Sequence, residues 1–217
     1  MLLAACGTGA RCLPRPLVQL GSPVTLGQVE RSAAVVTTCV LPGVGCERGT
    51  AFPIGAGYWL TAASMGENPA VSLRPESPRW SVVTIITGGH RYRAAPARVS
   101  PTQGYTLLNV PGTATVRGLP LDAGAPHPLD AATVVCAEPS RTLSYTGSLF
   151  MNTPSVPGVY LFEVNGRRVV SDCVGGPVLD RGLVVGVQLI GLAQDAWAAP
   201  TYAMTGLPST STAVCTS

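Results

Sequence analysis

The chain has 217 residues, 46% hydrophobic and 12% charged, with a formal net charge of +3. That apolar content is ample for a core and excludes a disordered chain, while 25 Gly and 20 Pro argue against coiled coils and helical bundles. All 14 basic residues are Arg and they are scattered, so no stripe exists that could track phosphates, and a nucleic-acid partner is not expected.

The sequence opens Met1-Leu2-Leu3-Ala4-Ala5-Cys6-Gly7. Leu3-Ala4-Ala5-Cys6 resembles the lipobox of bacterial lipoproteins, which implies a lipid on Cys6 and an anchor at the outer face of the cell membrane. The basic and long apolar regions of a secretory signal do not precede it, so either the true start lies upstream of Met1 or the match is accidental. The longest apolar stretch, Leu183 to Ala193, is about half a bilayer span and reads as a buried strand pair. Residues 7–27 hold Pro14, Pro16 and Pro23 with little periodicity and read as a tether.

With Cys6 set aside, Cys12, Cys39, Cys46, Cys136, Cys173 and Cys215 remain, an even number suited to disulfides in an oxidising compartment. Buried cytosolic thiols are the competing use. Spacing does not fix the pairing; the pairs expected are Cys39–Cys46 across a turn, Cys136–Cys173, and Cys12–Cys215 joining the termini. No CxxC pair occurs and the only histidines are His90 and His127, so neither a metal site nor a cofactor is expected.

From Ser32 onward, short β-rich runs alternate with turn residues. They are Ala33–Thr38, a hairpin over Ala51–Leu60 with Gly55 and Gly57, Ser81–Ile86, the Gly88-Gly89 turn, Tyr92–Val99 and Thr106–Val110. A Pro- and Gly-marked boundary at Pro111–Asp130 follows. Beyond it come Ala131–Ala137, Thr142–Phe150, Val159–Val164, Val178–Leu179 and Leu183–Leu192. This spacing predicts an all-β barrel or sandwich. One short helix is expected near Tyr202–Leu207. The domain division expected is 1–27 for the N-terminus and tether, 28–116 and 117–207 for two β units, and 208–217 for a tail.

Two segments resemble the trypsin-like serine proteases. Gly49-Thr50-Ala51-Phe52 with Leu60-Thr61-Ala62-Ala63-Ser64 is similar to the stretch around that family's catalytic histidine. Cys173-Val174-Gly175-Gly176-Pro177, followed by Val184-Val185-Gly186-Val187, is similar to its G-D-S-G-G-P segment and the next strand. Between them Tyr105-Thr106-Leu107-Leu108-Asn109-Val110 stands where the family has D-L-A-L-L-x-V. The resemblance implies two tandem antiparallel six-stranded β-barrels of trypsin-like type, closest to short bacterial HtrA-type domains without a PDZ domain.

The same alignment puts Ser64 at the general-base histidine, Gly104 at the orienting aspartate and Val174 at the nucleophilic serine. Proton transfer and acyl attack need an imidazole, a carboxylate and a hydroxyl, and none stands in its place. Asp172 replaces an oxyanion-hole glycine, where its charge would repel a developing oxyanion. The aspartate that pairs with a processed N-terminus is replaced by Cys173. The expectation is therefore a non-catalytic, trypsin-like lipoprotein of the bacterial envelope, a binding or assembly subunit whose partner is another envelope or membrane protein. Trp80 and Trp197 are its interface candidates, with Trp59 assigned to the core. The alternatives are an active peptidase with relocated catalytic residues and an unrelated β-sandwich binding module.

Overall fold

The computed structural model describes residues 13–16, 22–41, 44–66, 82–122, 124–125, 127, 130–150, 160–164, 173–192 and 195–214. It is mostly β. In chain order the elements are β1 (Leu13–Pro16), α1 (Leu26–Ser32), β2 (Ala34–Leu41), β3 (Val44–Gly55), β4 (Tyr58–Ala62), α2 (Ala63–Gly66), β5 (Val82–Thr87), β6 (His90–Ser100) and β7 (Tyr105–Asn109). Then come β8 (Ala131–Ala137), β9 (Thr142–Phe150), β10 (Tyr160–Val164), β11 (Pro177–Asp180), β12 (Leu183–Leu192), β13 (Asp195–Pro200) and β14 (Ser209–Val214).

Strands β2, β3, β4, β7, β6 and β5 pair in that order and close on themselves, and β10, β13, β12, β11, β8 and β9 form a second closed ring. Among the described residues the pairings between these strands are antiparallel, as expected where tight turns join Val-, Ile- and Thr-rich runs, and a single parallel bridge joins Leu121 to Val184. Leu183–Leu192 is one strand, not a pair. Residues 13–16, from the stretch read as a tether, pair with 209–214, from the stretch read as a tail.

Two helical readings are corrected. The helix expected near Tyr202–Leu207 is only a 3-10 turn at Thr201–Ala203. A helix not expected, α1, starts at a capping box in which Gln28 N–H donates to the Thr25 hydroxyl and Thr25 N–H donates to Gln28 Oε1. Val29 fixes it by full burial.

Trp59, Tyr105, Phe52, Leu60, Ile85 and Leu108 fill the first ring, and Trp59 Nε1–H donates to Thr113 Oγ1 at 2.7 Å. Their cluster continues through the contact between the rings to Val135, Leu179, Val184, Val187 and Ala199. A smaller cluster inside the second ring includes Ala132, Val134, Leu149, Val178 and both half-cystines of Cys136–Cys173. The connection between the rings is stitched to both. Leu119 N–H donates to Pro53 O at 2.8 Å, and Asp122 N–H donates to Val184 O at 2.8 Å. Buried Leu119 and Leu121 make it part of the core.

Candidate functional site

The three positions singled out by the motif alignment meet at the seam between the rings. Ser64 lies exposed on the single helical turn α2, between buried Ala63 and Met65. Strand β4 pairs with β7 through Ala62 and Tyr105, and Ala63 N–H donates to Gly104 O at 3.0 Å. Ser64 and Gly104 are thereby set side by side. Across the seam Val174 O accepts from Thr50 N–H at 2.7 Å. At Gly49 an added Cβ would lie 2.5 Å from Val174 O and 3.0 Å from Met65 Sδ, so only glycine lets these segments approach. Asp172 lies outside the described residues.

At Gly104 the space for a side chain is closed. Gly104 has φ 72°, and a Cβ there would stand 2.8 Å from Ala199 Cβ and 2.9 Å from Leu189 Cδ2, both on the second ring. No imidazole is brought to Ser64. His90 sits exposed at the turn between β5 and β6, tilted against Tyr92 with ring centroids 6.3 Å apart. His127 is exposed in the connection, its N–H donating to Asp130 Oδ2. Cys173 is bonded to Cys136, so its thiol is not free to act as a nucleophile. Among the described residues no group of three His, Cys, Asp or Glu could hold a metal ion.

What the seam does hold is a closed circuit around Thr50. Val174, next after Cys173, takes the Thr50 N–H, and Ala137, next after Cys136, donates its N–H to Thr50 Oγ1 at 2.9 Å. The disulfide completes the ring. Thr50 O also accepts from Thr61 Oγ1–H at 2.7 Å, and the adjoining Gly175 N–H donates to Gln188 O at 2.6 Å. Sequence reading singled out Thr50 only as part of a motif. Its role as the bolt between rings rests on partners far away in the chain.

The Cys39–Cys46 bond, expected across a turn, joins opposed residues of β2 and β3. Cys12, Cys215, Cys6 and Trp80 lie outside the described residues. Trp197 is half-buried on β13, and Trp59 is fully buried as expected. Asp180 is buried against Arg181 at 3.0 Å, with Arg181 also reaching Asp130 at 3.2 Å. The hydrogen bond and charge of Asp180 push the Arg181 guanidinium still higher. Burial pushes the Tyr105 phenol up, opposed by Arg98, and its hydroxyl donates to Thr205 O.

This pair of rings is the fold of the trypsin-like serine proteases. It is similar to the M. tuberculosis protease Rv3671c in its active form, at 17% identity over 95% of this chain and 96% of that one, with a TM-score of 0.67. A human pathogenic astrovirus serine protease matches at 18% identity over 78% of this chain and 88% of that one, TM-score 0.55. The serine endoprotease of Yersinia pestis matches at 13% identity over 83% and 64%, TM-score 0.61. No family model matches the chain, and no curated protein matches it.

These neighbours correct the functional expectation. The non-catalytic envelope subunit gains nothing from them, because they are described as proteases. Rv3671c appears in an active form as well as in inactive forms, one of them a serine-to-alanine mutant. The compartment is better supported. Disulfides persist outside the cytosol, so the two bonds fit an extracytoplasmic protein. No described helix is long and apolar enough to cross a membrane.

Proposed function

We propose that this chain is an exported protein of the trypsin-like fold in which Ser64, Gly104 and Val174 perform no acyl transfer. The observation that carries the reading is Gly104: Leu189 and Ala199 occupy the room that a side chain at this position needs. Incubating the oxidised full chain with fluorogenic peptides and casein tests it. We expect no turnover and no labelling by serine-directed phosphonates. Turnover that vanishes in Ser64→Ala would overturn the reading.

A second reading, a peptidase whose catalytic groups lie elsewhere in the chain, draws on the neighbours' description as proteases. It predicts turnover that Ser64→Ala leaves intact and that His90→Ala or His127→Ala reduces. We further infer that Cys6 carries a lipid anchor. Mass spectrometry of membrane-extracted protein is expected to find a diacylglyceryl group on Cys6, and an unmodified Cys6 in mature protein would refute the anchor. For a partner we expect another protein of the envelope, which crosslinking in intact cells tests.

A further inference from the structure

We propose that the recess between α1 and residues 117–119 binds a small organic carboxylate. The recess has a volume of about 150 Å³, and its wall combines Arg31 and Arg117 with Gln28 and Ser32 over the apolar Val24 and Leu119. Its floor is rigid, since Leu119 N–H is held by Pro53 O. Gly118 packs so tightly on the Ile54 backbone that a Cβ would collide with it.

The wall supplies donors without a matching negative charge. No acidic side chain lines it, and neither Arg31 nor Arg117 forms an ion pair among the described residues. Gln28 Oε1 already accepts from Thr25 N–H and faces the Thr25 hydroxyl, which leaves the amide NH₂ for a ligand. Ser32 Oγ–H is spent on Gln28 O, which leaves the hydroxyl oxygen only as an acceptor. Planar guanidinium groups match a carboxylate's two oxygens.

The floor selects the remainder of the ligand. The apolar side chains of Val24 and Leu119 beside the guanidiniums suit a carboxylate carried on a short aliphatic chain. Inorganic phosphate satisfies the guanidiniums but leaves Val24 and Leu119 uncovered, so it binds more weakly. Two sources offer this chemistry: a free branched-chain acid, and the C-terminal carboxylate of a polypeptide ending in an aliphatic residue.

Backbone NMR of the oxidised full chain decides the matter. It is titrated with isovalerate, with isovaleramide, and with acetyl-Ala-Val as free acid and as amide. Shifts at α1 and residues 117–119 are expected with the two carboxylates and not with the amides. Arg31→Gln and Arg117→Gln, both on exposed side chains, are each expected to weaken binding about tenfold. An unchanged melting temperature in the two variants ties the loss to the site. Tighter binding of the peptide acid assigns the polypeptide source, and tighter binding of isovalerate the free acid; either supports the proposal. Equal shifts with the amides, shifts that survive the double substitution, or no shifts at all would overturn it.

Discussion

Gly104 shows how much one missing Cβ can decide. Introducing aspartate there asks a left-handed residue to carry a side chain, at about 1–2 kcal/mol, and forces it against Leu189 and Ala199, at about 1–3 kcal/mol for overpacking. Gly104→Asp is therefore expected to lower the urea midpoint even when Ser64→His and Val174→Ser accompany it, and the triple variant to remain without turnover. The adjacent Tyr105 gives a pH signature. Its phenol is raised above the ordinary 10.0, so its contribution is complete below that value and drains away as pH climbs through the higher folded value. Chemical denaturation across this range should show a steeper alkaline loss for the native chain than for Tyr105→Phe. That Ser64, Gly104 and Val174 lie near one seam was legible in outline, because each sits in a motif that the flanking residues define. The filling of the Gly104 space was not, because Leu189 and Ala199 reach it from a different ring.

Between elements, Thr50 joins β3 to β8 and to the turn before β11. Thr50→Val removes the hydroxyl and strands the Ala137 N–H in a buried place, which costs about 1–3 kcal/mol. Equilibrium unfolding should show that loss, and amide exchange should speed up at Ala137 first. The strands themselves were readable, since Ala131–Ala137 and Thr142–Phe150 carry β-branched residues between clear turn signals. Helix α1 was not. Its seven residues are too few to stand alone, and the burial of Val29, the Thr25–Gln28 box and the Thr142 hydroxyl donated to Glu30 O hold it. Pro111–Asp130 read as a boundary by composition, yet Leu119 and Leu121 turn its middle into core. Hydrogen bonds to Pro53 and Val184 in opposite rings are long-range facts that no local pattern encodes.

For the molecule as a whole, the Cys136–Cys173 bond matters more than its span of 37 residues suggests. Replacing both cysteines by serine is expected to cost about 2–4 kcal/mol through the unfolded chain alone. The Thr50 circuit adds to this, because both hydrogen-bonding neighbours of the cysteines are released together. A double-mutant cycle with Thr50→Val should therefore show coupling well beyond additivity. The cysteine count announced an oxidising compartment, but not that one bond would sit where the rings meet.

The circuit also orders events in time. Thiols stay reduced in the cytosol, so before export the segments flanking Cys136 and Cys173 are not yet fastened to each other around Thr50. For a chain that gains its disulfides only outside the cytosol, that oxidation is the step that fastens the segments flanking Cys136 and Cys173 to each other.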